Sequence, residues 1–132
     1  MSVDETEQTS ETFNSIETKR RWLENLPSDF EVFQWHAHTF TVPSGATALW
    51  RNSCCEQQGF AKDNMLATQF HLEITANSVV ELTKRYASDL SQPSECAQTV
   101  KQLTDNLEKR VNRLHLTADK IYTRWLTMTG LI

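Results

Sequence analysis

The chain has 132 residues, 39% of them hydrophobic, which suits one domain with a modest core. A formal net charge of −4 provides no electrostatic footprint for nucleic acid or an anionic membrane, and no run of eighteen apolar residues or charged-then-apolar leader appears, so a soluble, unsecreted protein is expected. Three cysteines, two of them adjacent, make no disulfide framework and favour a reducing cytoplasm.

Residues 1–18 hold five acids (Asp4, Glu5, Glu7, Glu11, Glu17) and only Val3, Phe13 and Ile16 as sizeable apolar groups after Met1. That is too little burial to offset the entropy of ordering, and a mostly disordered acidic arm is expected there. Lys19-Arg20-Arg21 reads as a solvated helix face. Trp22-Leu23-Glu24-Asn25-Leu26-Pro27 follows as a short helical turn stopped by Pro27.

Residues 30–36 alternate apolar and polar, which predicts a strand with Phe30, Val32 and Gln34 on one face and Glu31, Phe33 and Trp35 on the other. Large apolar groups on both faces place it centrally in a sheet. His36 and His38 would point the same way from such a strand, and with His71 they could supply three nitrogens to zinc; this reading stays open. Val42-Pro43-Ser44-Gly45 is a turn. Short strands are predicted over 46–51 and 57–61, with residues 52–56 as a connection, and their tight spacing argues for antiparallel pairing.

Residues 65–71 read as a further, central strand that delivers His71 and Glu73 at its end. Extended residues alternate faces, so His71 and Glu73 share one side and the carboxylate can orient the imidazole. The ordinary meaning of such a pair is a surface hydrogen bond. Thr75-Ala76-Asn77-Ser78 reads as a helix cap, and Val79, Val80, Leu82, Thr83, Tyr86, Ala87 and Leu90 form the helix's apolar stripe.

Ser91-Gln92-Pro93-Ser94-Glu95 breaks that pattern. A long helix then carries Val100, Leu103, Leu107, Val111, Leu114, Ala118, Ile121 and Trp125, with a break expected near residues 114–119, Thr117 as its cap, and Gly130 as the final stop. Glu108 with Arg110, and Asp105 with Lys109 or Arg113, predict a solvated face, and His115 reads as an ordinary surface or helix-boundary residue.

Two motifs raise the standing of His71. Gln69-Phe70-His71-x-Glu73, preceded by Val32-Phe33-Gln34-Trp35-His36-x-x-Thr39-Phe40-x-x-Pro43-x-Gly45-Ala46, resembles the C-terminal half of class I glutamine amidotransferase domains, in particular the stand-alone, GMP-synthase-like group. The resemblance runs from about Trp22 to the end and includes Cys54, Gln58 and Phe60. Where the family commonly has Gly-Asp after the first histidine, this chain has Ala37-His38.

The resemblance implies an α/β domain, here partial, with short, largely antiparallel strands followed by C-terminal helices. The chain is expected to divide into the acidic arm (1–18), the amidotransferase-like portion (19–90) and a helical extension (91–132); within the arm the resemblance implies a strand and its following turn, of which Ser2-Val3-Asp4 would be a remnant. It also implies that His71 is the base and Glu73 its orienting acid in a Cys-His-Glu glutaminase. The family's nucleophile sits in a Gly-x-Cys-x-Gly elbow, and none of Gly45, Gly59 and Gly130 flanks a cysteine in that way.

The expected function is therefore a partial amidotransferase, inactive alone, that would act on glutamine only if a complementing N-terminal half supplied the thiol. No cofactor or metal is expected, nor binding to nucleic acid or membrane. The alternative is a non-catalytic interaction module or degenerate paralogue that self-associates through a free sheet edge and its long helix.

Overall fold

The computed structural model describes residues 2–5, 13–92 and 94–132. In order they form β1 (Ser2–Glu5), α1 (Phe13–Leu23), β2 (Asp29–Glu31), β3 (Thr47–Asn52), β4 (Cys55–Lys62), β5 (Met65–Thr68), α2 (Ala76–Arg85), a 3-10 turn (Ala87–Leu90), α3 (Val100–Thr104) and α4 (Leu107–Met128). The strands make one sheet in the order β2-β1-β3-β4-β5, every neighbouring pair antiparallel. This is the α/β architecture of short antiparallel strands followed by helices that the resemblance implied.

The expected disordered arm is structured at both ends. Val3 is fully buried because β1 lies between β2 and β3, so backbone pairing on both sides adds what its few apolar side chains lack. Helix α1 starts at Phe13 and buries Trp22 and Leu23. Residues 6–12 of the expected arm, like Pro93 in the later break, lie outside the described residues.

Two strands differ from expectation in place and length. Residues 30–36 do not form a central strand: β2 ends at Glu31 and lies at the sheet edge, with a single bridge beyond it, Phe33 to His71. Its short partner β1 limits it, yet Phe30 and Val32 share the buried face that alternation assigned them. Strand β5 ends at Thr68 and forms the other edge; the Gln69 N–H still bonds to the Gln58 carbonyl (2.9 Å) in the same register, and the Thr68 hydroxyl donates to the Phe70 carbonyl (3.0 Å) where the chain leaves the sheet.

Between β3 and β4 the chain makes a tight hairpin rather than the longer connection expected over 52–56. The Asn52 side-chain oxygen accepts the backbone N–H groups of Cys54 (3.0 Å) and Cys55 (2.8 Å), closing an Asx turn. In the middle of β4, Gly59 is required by close approach: a Cβ there would lie 2.7 Å from the Trp50 ring and 3.1 Å from the Ala67 carbonyl oxygen. Trp50 thus packs directly over the sheet backbone.

The core gathers Val3, Trp22, Phe30, Leu49, Trp50, Phe70, Leu72, Ile74 and Val79 with Leu114, Ala118 and Ile121 of α4. Because α4 completes the same core as the sheet, its interruption falls elsewhere than expected. Thr117 is buried in unbroken helix, and the break sits at Asn106, whose left-handed backbone (φ 50°) separates α3 from α4. At the far end Gly130 (φ 76°) does stop the helix: its N–H bonds to the Thr127 carbonyl and that of Leu131 to the Leu126 carbonyl.

Arg110 is likewise no part of a merely solvated face. Its Nε donates to Glu31 at 2.8 Å, and its Nη1 donates to the carbonyls of Gln102 (2.7 Å) and Asp105 (3.1 Å), tying α4 to β2 and to the end of α3. Burial alone would raise the Glu31 pKa, but the hydrogen bond and charge of Arg110, with Arg113 adding, hold it below the usual value of 4.5. A carboxylate depressed in the folded state stabilises fully above its unfolded pKa and loses that contribution as pH falls through the folded one. Chemical-denaturation midpoints below pH 4.5 are therefore expected to fall less steeply for Glu31→Gln than for the unaltered chain. Equal slopes would show the pair to be electrostatically idle.

The cysteines depart from expectation too. Cys54 in the β3–β4 turn and Cys96 before α3 form a disulfide with Cα atoms 5.7 Å apart, leaving Cys55 as a free thiol. The partners are 42 positions apart, a pairing that spacing could not reveal. The cysteine count therefore no longer argues for a reducing compartment. Among the described residues no helix is long and apolar enough to cross a membrane.

Candidate functional site

His71 and Glu73 lie on the extended segment between β5 and α2. Phe70, Leu72 and Ile74 are buried there, so the intervening Gln69, His71, Glu73 and Thr75 are turned outward. The inward residues are thus what holds the outward pair in register. The segment is fixed at three further points. Phe33 accepts the His71 backbone N–H at 2.8 Å, Thr75 caps α2 by accepting the Ser78 N–H at 3.1 Å, and His115 Nε2 donates to the Ile74 carbonyl at 2.8 Å.

Within that frame His71 Nδ1 and Glu73 Oε1 are 2.8 Å apart, the contact that the shared face predicted. The two side chains retain 42% and 64% of their accessibility, so the pair is open to an approaching molecule. Partial burial raises the Glu73 pKa, but hydrogen bonds from its own backbone N–H, from His71 and from the Leu72 backbone, together with the His71 charge, leave it below the usual range. An ionised Glu73 accepting from Nδ1–H leaves the lone pair on Nε2, the atom placed to take a proton. His71 Nε2 makes no hydrogen bond among the described residues.

Two residues near this pair carried no signal in the sequence. Tyr122 of α4 has its hydroxyl pKa raised by burial and then by the charge of Glu73. His115, expected to be an ordinary surface or boundary residue, instead anchors the segment from 41 positions away. Both are brought there by the packing of α4, which no local motif encodes.

The remaining candidates are elsewhere. His36 is engaged locally, Nδ1 with the His38 carbonyl (2.7 Å) and Nε2 with the Gln34 side-chain oxygen (3.2 Å). No group of three or more His, Cys, Asp or Glu side chains that could hold a metal occurs among the described residues, so the zinc reading of His36, His38 and His71 lacks an assembled site. The Cys55 thiol lies against Thr39 Oγ1 (3.2 Å) and Gln69 Nε2 (3.4 Å), and Gln69 Nε2 also donates to the Gln57 carbonyl. No cysteine contacts His71 among the described residues.

No family model and no curated protein matches the chain. Solved structures do. A glutamine amido transferase from Methylobacillus flagellatus matches with a TM-score of 0.78 at 22% identity, over 96% of this chain and 50% of that one. A glutamine amidotransferase from Thermotoga maritima matches with a TM-score of 0.70, also at 22% identity, over 95% and 48%.

The fold is that of half a glutamine amidotransferase. The chain spans about half the length of each of these structures. Within this amidotransferase-like half, the His71–Glu73 contact lies on the outward face of the segment that leads from the last strand into α2.

Proposed function

We propose that the chain carries the base and orienting acid of a class I glutaminase site of the GMP-synthase-like kind, and that the nucleophile comes from a Gly-x-Cys-x-Gly elbow outside these 132 residues. The observation that carries this reading is the 2.8 Å contact between His71 Nδ1 and Glu73, on two side chains that keep 42% and 64% of their accessibility and with Nε2 making no hydrogen bond among the described residues. In the assembled site the thiol would attack the side-chain amide carbon of glutamine while His71 Nε2 takes its proton and returns it to the departing nitrogen. Ammonia leaves, and water then cleaves the thioester to glutamate. Glu73 keeps the imidazole in the required tautomer and supports its charged form. Backbone N–H groups beside the elbow would hold the oxyanion.

A base without a thiol has nothing to activate, so the chain alone should release no ammonia from glutamine. The test is an ammonia assay on the purified chain, with and without a polypeptide that bears the elbow. Release only from the mixture supports the reading, and release by the chain alone refutes it.

A further inference from the structure

A cavity of about 540 Å3 lies between residues 31–37 and helices α3 and α4, with apolar walls that include Val32, Phe33, Leu103 and Leu107. All three cysteines line it. The disulfide joins the β3–β4 turn on one side to residues 94–97 on the other. The latter stretch belongs to no helix or strand and is held locally by mutual backbone hydrogen bonds of Ser94 and Ala97 (3.1 and 3.3 Å) and by the Cys96 N–H on Ser94 Oγ (3.3 Å). Cys96 is exposed whereas Cys54 is half-buried, so a thiol arriving from solvent meets the Cys96 sulfur first.

We propose that Cys54–Cys96 is a reducible site for dithiol reductants and that its state determines whether residues 94–98 close over the cavity. A thiolate of the reductant attacks Cys96 Sγ, the S–S bond breaks, and Cys54 leaves as a thiolate that takes up a proton. The second thiol of the reductant then attacks the mixed disulfide and releases Cys96 as a thiol. Two electrons and two protons pass to the protein, and the reductant is left as a cyclic disulfide.

Once the bridge is open, the hydrogen bonds that hold residues 94–97 among the described residues are those of their own turn, and the next firm point is the capping box of Thr99 and Gln102 at the start of α3. The apolar wall becomes reachable. Phe33 belongs to that wall, and its carbonyl accepts the His71 backbone N–H, so the cavity adjoins the anchor of the base on the glutaminase reading above. Cys55 takes no part, since Thr39 and Gln69 hold its sulfur.

Hydrogen–deuterium exchange of the whole chain, with and without dithiothreitol, tests this without any measurement of ammonia. Reduction is expected to raise exchange at residues 94–98 about tenfold or more while the β3 and β4 amides keep their rates. A double variant, Cys54→Ser with Cys96→Ser, should show the fast exchange without reductant, and Cys55→Ser should behave as the unaltered chain does. Unchanged exchange at 94–98 on reduction would overturn the proposal. So would an equal rise across the sheet, which marks a general staple, or peptide mapping under non-reducing conditions that finds Cys96 unbridged.

Discussion

Replacing His71 by alanine is expected to lower ammonia release from the complemented mixture by about a hundred- to ten-thousandfold, the range supplied by a positioned general base. The imidazole is the group of the His71–Glu73 pair that the proposal makes the base, and its Nε2 makes no hydrogen bond among the described residues. The fold should survive the change, because the side chain is turned outward and the structural anchor at this position is its backbone N–H on the Phe33 carbonyl. Glu73→Gln should lose less than His71→Ala and should alter the pH profile, since in the proposed mechanism Glu73 acts through the histidine and not on the reacting amide. Binding of the elbow-bearing partner should be unchanged in both variants. Undiminished ammonia release by His71→Ala, in a mixture shown to assemble, would remove His71 from the mechanism.

Trp50→Ala is expected to cost about 3–5 kcal/mol of folding stability, the usual loss for truncating a fully buried tryptophan. Trp50 has no accessible surface and makes edge-on contacts with Phe30 (ring centroids 5.8 Å) and Phe70 (5.4 Å). Gly59 leaves the space on the sheet that its ring occupies, since a Cβ there would lie 2.7 Å from that ring. Against a typical domain stability of about 5–15 kcal/mol this is a large fraction. Trp50→Phe should cost less, because it keeps much of the volume and removes an indole N–H that is buried with no hydrogen-bond partner among the described residues. The readout is the denaturant midpoint at unchanged slope. A midpoint shift of Trp50→Ala no larger than that of a surface substitution would show that the aromatic cluster is not the centre of stability.

Phe70 links the two expectations, since it belongs to the Trp50 cluster and directly precedes His71. The outward pair is only as well placed as the inward residues beside it. Loosening of the core should therefore reach the site through the backbone before any residue of the site is touched.

What was legible in the sequence was local. Period-two alternation from Leu66 to Glu73 sufficed to put His71 and Glu73 on one face, Thr75 was readable as a cap, Gly130 as a stop, and the β3 and β4 strands as short stretches joined by tight turns. The two spaced motifs pointed to the amidotransferase-like fold, which the solved structures then bore out. Each of these features depends on neighbours a few positions apart, and backbone geometry alone translates such spacing into structure.

The tertiary structure decided the rest, for an equally physical reason. Which strand is central depends on partners from distant parts of the chain, so β1 entered the sheet despite its poor composition and residues 30–36 ended at an edge. The helix break moved to Asn106 because the core needs Thr117 and its neighbours in continuous helix, a demand made by the sheet and invisible in the helix's own periodicity. The Cys54–Cys96 bridge, the Arg110–Glu31 pair and the His115 anchor join residues 42, 79 and 41 positions apart. Contacts at such separations form only where packing brings two surfaces together, and no pattern confined to one stretch of sequence can carry them.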